Sequence, residues 1–268
     1  MINPQLHKQP TALDRTAHRN LKLDLPDGPD LSFSAELNGV FVPVGEFTDV
    51  CREYPIVFVR TNAVSTDEAE YAPLAVLGME QNQNLYLLDG KRWRADYLPV
   101  LLRTYPFCIG RMNDEKFAIC LDMSWKGVNE EKGLSLFAAD GEPTEQMANT
   151  IKQLELLEGE IQRTRLVCAT LAKLGVMKSM RFDATTASGR KLAVDGFFSI
   201  DAEVMQNLPD STVGDLHRSG VLGMVQLHWA SMNGMRRLVD WHGERTEGAA
   251  TAPTAPAVTP SANADTLA

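Results

Sequence analysis

The chain has 268 residues, of which 44% are hydrophobic and 23% charged, and it carries a formal net charge of −9. This size and composition suffice for a buried core. The negative charge disfavours general binding to nucleic acid or to anionic membranes. No apolar run approaches the ~20 residues that a bilayer crossing requires. We therefore expect no nucleic-acid partner and no membrane insertion.

Cysteine usage indicates a reducing compartment. The four cysteines, Cys51, Cys108, Cys120 and Cys168, lie far apart within apolar stretches and form no C-x-x-C pair. That pattern is typical of small buried hydrophobic side chains, not of disulfides or a zinc site. The first eight residues lack the apolar core of a secretory signal. We expect a soluble cytoplasmic protein, and export without a cleaved signal is compatible with the sequence.

The predicted elements begin after a polar segment. Residues 1–30 contain four prolines and read as an extended N-terminal arm. Asn38-Gly39 between two alternating runs, 31–37 and 40–44, predicts a β-hairpin, because both turn positions need positive φ. Pro43 has no N–H to donate, so it predicts an edge position for the second strand.

The central part of the chain predicts a largely antiparallel sheet. A short helix over 46–54 ends at Pro55, which opens a buried strand. Further strands, a helix and a strand pair follow at 72–79, 84–88, 97–103, 107–111 and 116–122. Short connections of this kind favour antiparallel pairing, since parallel strands need long crossovers.

The last third of the chain is predicted to be mainly helical. A long helix runs from Thr144 to Leu174, with apolar residues at alternating spacings of three and four, and Gly175 ends it. Such a stripe suits packing on the domain's own sheet better than a coiled coil, although a homodimer is compatible with it. A hairpin (180–183 and 191–200) and three helices (201–207, 211–218 and 221–241) follow.

Together these elements predict an α+β fold with a mostly antiparallel sheet, the long helix and a C-terminal helical region. Residues 31–245 form a single domain in this interpretation. Residues 246–268 consist mainly of Ala, Thr and Pro and cannot bury enough apolar surface to order, so they predict a disordered tail.

One block of residues is more distinctive than the composition. Its centre is Trp93, Tyr97-Leu98-Pro99 and Arg103-Thr104-Tyr105-Pro106-Phe107. The flanking pieces are Tyr54-Pro55-Ile56-Val57-Phe58, Leu77-Gly78, Asn84-Leu85-Tyr86, Leu136-Phe137 and Asp140-Gly141-Glu142-Pro143-Thr144. In this order they resemble the SapC-like family of bacterial proteins, over roughly residues 10–240. The resemblance implies one coherent domain. The family is named after a surface-layer locus and has no established catalytic residues to carry over.

The central block is also the first candidate site. Trp93, Tyr97, Arg103, Tyr105 and Phe107 combine aromatic rings with one guanidinium, which is how proteins cradle a peptide or an anionic ligand. The alternative is that these residues end a helix and begin a buried strand. For an enzyme, Arg103, Asp122 at a strand end and His228 in an apolar helix are the candidate polar residues.

No nucleophile, nucleotide or metal motif supports a particular reaction. We therefore expect no metal and no cofactor. The leading hypothesis is a non-enzymatic binding or accessory protein that uses the Trp93–Phe107 region or the long helix to bind a protein or peptide partner. An enzyme acting on a small molecule or peptide, and a surface-layer-associated protein, are the alternatives.

Overall fold

The computed structural model describes residues 2–28, 30–62, 69–111 and 117–251. Its strands are β1 (Pro10–Ala12), β2 (Lys22–Leu23), β3 (Gly39–Phe41), β4 (Ile56–Arg60), β5 (Tyr71–Val76), β6 (Leu87–Leu88), β7 (Arg92–Trp93), β8 (Phe107–Arg111), β9 (Phe117–Asp122), β10 (Val128–Asn129), β11 (Leu134–Ser135), β12 (Met177–Thr185) and β13 (Lys191–Ile200). Its helices are α1 (Phe47–Glu53), α2 (Val100–Arg103), α3 (Glu145–Lys173), α4 (Ala202–Gln206), α5 (Asp210–Arg218), α6 (Val221–Ser231) and α7 (Gly234–Thr251).

A five-stranded antiparallel sheet forms the centre of the fold, in the order β12-β13-β4-β5-β3. The central strand β4 pairs with β5 from Ile56 opposite Ala75 to Arg60 opposite Tyr71. It meets β13 where Phe58 lies opposite Phe198. Its first three residues are buried, as the apolar run after Pro55 predicts for an inner strand. The fold is therefore α+β, as the sequence predicts.

The N-terminal segment is more than an extended arm. Its strand β1 joins a second sheet, β1-β9-β8, in which Pro10 lies opposite Asp122, and β2 lies between β10 and β11 in a third. Leu6, Leu21 and Leu23 are buried in the core. These leucines and the open edge of β9 give the segment its order, although its prolines and polar residues suggest an irregular chain.

The predicted hairpin at Asn38-Gly39 is wrong. Residues 32–34 form a 3₁₀ turn in which the Ser34 hydroxyl donates to the Leu31 carbonyl at 2.7 Å. The carbonyl of Asn38 instead accepts from the N–H groups of Leu77 and Gly78. Strand β3 consequently pairs with β5 and forms one edge of the central sheet, so Pro43 follows an edge strand, where a missing N–H is tolerated.

The long helix α3 has the predicted ends. The Thr144 hydroxyl accepts from the N–H of Met147, and Gly175 adopts the left-handed conformation with φ of +67°. The helix lies against β5 and β8, as the sequence predicts. Thr164 interrupts its apolar stripe for a reason: its hydroxyl accepts from the N–H of Val44 at 3.0 Å and donates to the Glu160 carbonyl.

The predicted C-terminal helix over 221–241 is two helices, α6 and α7, separated at Met232 and Asn233. A Cβ on Gly234 would lie 3.3 Å from the Pro55 ring, so the start of α7 approaches β4 closely. Helix α7 continues through 246–251, which the composition predicted to be disordered; the rest of the predicted tail, 252–268, lies outside the described residues. Among the described helices, none combines the length and apolar character needed to cross a bilayer.

Candidate functional site

Two of the predicted site residues, Tyr97 and Arg103, meet around a buried carboxylate. Glu46 precedes α1, and its carboxylate accepts hydrogen bonds from the Tyr97 hydroxyl, the Val100 N–H at 3.0 Å and the Arg103 guanidinium at 3.1 Å. The same guanidinium lies over the Tyr97 ring, 5.4 Å from its centroid. Arg103 therefore balances a buried charge and at the same time covers an aromatic ring.

Trp93 is connected to this cluster through Tyr54. Its indole N–H donates to the Tyr54 hydroxyl at 2.6 Å, and that hydroxyl donates to the carbonyl of Tyr97. The rings of Tyr54 and Trp93 both stack on Tyr86. The Glu53 carboxylate completes the connection, because it accepts from the backbone N–H groups of residues 96 and 97. These contacts fix the segment 93–103 against α1.

Tyr105 and Phe107 belong to a different cluster. The Tyr105 hydroxyl donates to the Asp122 carboxylate at 3.2 Å, and its ring stacks on Phe33 at 4.1 Å between centroids. Phe107 is buried in β8, opposite Leu121. The structure therefore divides the five predicted aromatic-site residues into two groups, both occupied with internal contacts.

Asp122 anchors the N-terminal segment. It is fully buried and accepts from the N–H groups of Lys8 and Gln9 and from the N–H and hydroxyl of Ser124. Burial alone would raise the pKa of this carboxyl, but these hydrogen bonds lower it overall. An ionised aspartate with this many donors is a structural anchor.

Both ring nitrogens of the His228 side chain also have hydrogen-bond partners. Its Nδ1 lies 2.8 Å from the Ile56 carbonyl, while its Nε2 accepts from the Ile200 N–H at 3.2 Å and contacts the Ser199 hydroxyl at 2.9 Å. Both ring nitrogens are thus engaged, with Nδ1 as the donor. Burial lowers the pKa of His228 to about 4. The imidazole is therefore neutral at physiological pH and joins α6 to β4 and β13.

The three enzyme candidates are not brought together as a reactive group. Arg103 contacts Glu46, Asp122 anchors β1, and His228 lies beneath α6, and none of them lines either of the two cavities described below. Burial also raises the pKa values of all four thiols, to about 12 for Cys108 and Cys168. Within the described residues, no group of three His, Cys, Asp or Glu side chains has the arrangement of a metal site.

The larger cavity is a cleft of about 910 Å³ between α3 and the strands β5, β8 and β12. This volume is within the range of small-molecule and peptide sites. Its floor is apolar and includes Phe41, Ala72, Ile161 and Cys168, all of which are buried. Helix α3 forms one wall, which combines buried residues such as Thr164 with exposed ones such as Ala169.

The rim of this cleft is cationic. Arg111, Arg165 and Lys173 line it, against Glu70 as its single acidic residue in the described part of the chain. Arg111 lies 3.1 Å from Glu158, whereas Arg165 and Lys173 are exposed and form no ion pair with the described residues. The protein as a whole carries a net charge of −9, so the positive rim of this cleft is opposite in sign to the rest of the protein.

Sequence reasoning missed both Glu46 and the cleft. Glu46 is at the start of a predicted helix, where an exposed acidic residue is ordinary. Arg111 on β8 and Arg165 on α3 both line the cleft although they are distant in sequence. No local sequence pattern predicts such tertiary packing. The one available signal was Thr164, a polar residue in the apolar stripe next to Arg165.

The smaller cavity, of about 450 Å³, lies beside α7. Its arginines are already engaged: Arg94 lies over the Trp241 ring at 4.6 Å, and Arg245 donates to the Asn84 carbonyl at 2.8 Å. Glu244 is 3.6 Å from Arg94 and balances its charge. This cavity therefore offers less free charge to a ligand than the α3 cleft.

A family model described as SapC matches residues 13–238, a span that includes the segment 93–107 and the cleft. No curated protein and no solved structure matches the chain.

Proposed function

The chain belongs to the SapC family, and we propose that it is a non-enzymatic binding protein that holds an acidic peptide segment of a partner in the α3 cleft. The observation that carries this proposal is the pair of uncompensated cations, Arg165 and Lys173, on the rim of a large cleft with an apolar floor. Cations of this kind attract carboxylates, and a partly enclosed site screens them less than open solvent does.

The spacing of the two cations favours an extended ligand. Eight residues separate Arg165 from Lys173, which corresponds to about 12 Å along a helix. An extended chain covers that distance in about four residues. A peptide with two acidic residues four positions apart, and apolar residues between them, would therefore match both cations and the apolar floor.

The internal contacts of Arg103, Asp122 and His228 support a binding role over catalysis, because Asp122 and His228 are fully hydrogen-bonded within the fold and Arg103 is paired with the buried Glu46. The four cysteines are free thiols. Together with the acidic composition, they support an accessory role in the cytoplasm, a reducing compartment.

The test is fluorescence anisotropy with a labelled peptide that carries two Glu residues four positions apart among Leu, Val and Thr. We expect saturable binding, and a Lys-for-Glu version of the peptide should not bind. Arg165→Glu should weaken binding by about tenfold or more, since it replaces an attraction with a repulsion. Ala169→Trp should also abolish binding, because Ala169 is exposed and lines the cleft.

Lys191→Glu is the matched control, since Lys191 is an exposed cation outside the cleft. It makes the same change in net charge and should leave binding unchanged. If Arg165→Glu and Lys191→Glu lose equal amounts of binding affinity, the effect reflects net charge alone and the proposal is overturned. Binding weaker than about 1 mM, which is roughly −4 kcal/mol, would also overturn it.

A further inference from the structure

Helix α3 presents two leucines to solvent. Leu156 and Leu166 are 74% and 71% exposed, the highest values among the exposed large hydrophobic residues of the described chain. Single exposed leucines are ordinary on protein surfaces. Two such leucines on the exposed face of one helix, on either side of Gly159, form a surface that packing among the described residues does not use.

The helix geometry places these residues on one stripe. At 3.6 residues per turn, Leu156, Gly159, Arg163 and Leu166 follow each other at spacings of three and four, opposite the buried side of α3. This outer stripe is distinct from the wall of the cleft, which includes Arg165 and Cys168.

Gly159 has no function in the internal packing of the described chain. A Cβ added there would meet no atom within 4 Å. A glycine in a helix interior costs about 1 kcal/mol relative to alanine, so a packing reason is expected. Gly159 is also the midpoint of α3, which runs from Glu145 to Lys173. A glycine at the centre of an exposed stripe permits the close approach of a second helix.

Charged residues of opposite sign flank Gly159 on the helix. Glu155 lies four residues before it and Arg163 four residues after it, while Lys152 lies further towards the N-terminal end of the stripe. Arg163 has only a weak internal partner, Glu160, at 3.6 Å on the same helix, and both side chains are substantially exposed. An antiparallel copy of α3 centred on Gly159 would bring Glu155 opposite Arg163 of that copy, twice by symmetry. A parallel copy would oppose like charges.

We propose that the outer stripe of α3 is a self-association surface, on which a second copy of this chain packs antiparallel with the two helices crossing at Gly159. The two-fold axis makes the contact isologous, so each favourable pair occurs twice and the assembly closes at a dimer. The leucines provide the apolar contact, and the Glu155–Arg163 pairs select the antiparallel orientation.

The test is sedimentation equilibrium of the full chain and three variants, with circular dichroism to verify folding. We expect the wild-type protein at twice its 29.6 kDa chain mass. Glu155→Arg and Arg163→Glu should each raise the dimer dissociation constant by about tenfold or more, because each replaces both attractive pairs with repulsive ones. The double variant should restore dimerisation, since it only exchanges the two charges.

Leu134→Glu provides the control, because Leu134 is 44% exposed and lies on β11, away from α3. It should leave the dimer intact, whereas Leu166→Glu should dissociate it. A monomeric wild-type protein would overturn the proposal. So would a dimer that survives both single charge reversals, or a double variant that stays monomeric. Peptide binding in the cleft is a separate readout, which Arg165 controls and Glu155 does not.

Discussion

The Arg103 guanidinium lies 3.1 Å from the Glu46 carboxylate, and the two partners differ sharply in exposure: 52% for Arg103 and 10% for Glu46. Burial raises the pKa of Glu46, while the Tyr97 hydroxyl, Arg103 and the Val100 N–H counteract that shift. The arginine therefore compensates a carboxylate that the fold has buried. Its partner is internal, which argues against Arg103 as the contact for an external ligand.

The first prediction separates these two roles. Arg103→Ala should lower the free energy of unfolding by about 1 kcal/mol, a modest loss because the side chain is half exposed. Glu46→Ala should lower it by roughly 2–3 kcal/mol, because it also leaves Tyr97 and the Val100 N–H without an acceptor. Urea denaturation measures both. If Arg103→Ala leaves the stability unchanged but abolishes peptide binding, the binding site is the segment 93–107 and not the α3 cleft.

A second prediction concerns the anchor at Asp122. Asp122→Ala should cost roughly 2–3 kcal/mol, because three backbone N–H groups and the hydroxyls of Ser124 and Tyr105 lose their acceptor. The loss should also be local: amide hydrogen exchange should accelerate first in β1 and β9. Asp183→Ala, which removes an exposed carboxylate paired with Arg181, is the control and should change neither quantity. Uniform acceleration across the central sheet would contradict the anchor interpretation.

The third prediction is a pH dependence. The pKa of His228 is lowered from 6.5 to about 4, so the unfolded chain binds the proton more readily than the folded one. The contribution to stability is fully present above pH 6.5 and is lost as the pH falls towards 4, by about 1.4 kcal/mol per pH unit. Protonation would force a proton onto Nε2, which accepts from the Ile200 N–H.

His228→Gln should accordingly reduce the slope of stability against pH in this window by one proton. His7, whose pKa is also lowered to about 4, continues to contribute in that variant. Denaturant unfolding at several pH values between 4 and 7 measures the slope. A slope insensitive to His228→Gln would contradict the assigned donor and acceptor roles.

The fourth prediction compares two glycines. A Cβ on Gly78 would lie 1.9 Å from the backbone carbonyl oxygen of Gln83, which cannot move without disrupting the chain that leads to β6. Gly78→Ala should therefore destabilise the protein by several kcal/mol or prevent folding. Gly223 in α6 has nothing within 4 Å of its Cβ position, so Gly223→Ala should stabilise the protein by about 1 kcal/mol. Thermal unfolding measures both changes in stability: the midpoint temperature should fall for Gly78→Ala and rise for Gly223→Ala.

The sequence predicts well those elements whose signals are local. Thr144 and Gly175 mark the ends of α3 by the conformations that helix ends require, and the β8–β9 and β12–β13 pairs follow from short connections between strand-forming runs. The prediction of a hairpin at Asn38-Gly39 failed because of a tertiary contact. Its local signal was good, but the main-chain groups of residues 77 and 78 compete for the Asn38 carbonyl.

The candidate site was harder to predict because it depends on tertiary contacts. The block Trp93–Phe107 carries the family resemblance, yet its parts face two different clusters, one around Glu46 and one around Asp122. Neither carboxylate is close in sequence to the aromatic residue that contacts it. The cleft cations, Arg111 and Arg165, likewise meet only after α3 packs on the sheet.

The pairing of β1 with β9 also has a consequence for biosynthesis. Pro10 leaves the ribosome well before Asp122, its partner across the two strands. At a translation rate of roughly 5–20 residues per second, this interval lasts on the order of ten seconds. During that time β1 has no template, and it can join its sheet only after β9 has emerged. Once β1 has paired, it covers the edge of β9, which until then presents unpaired backbone groups to other chains.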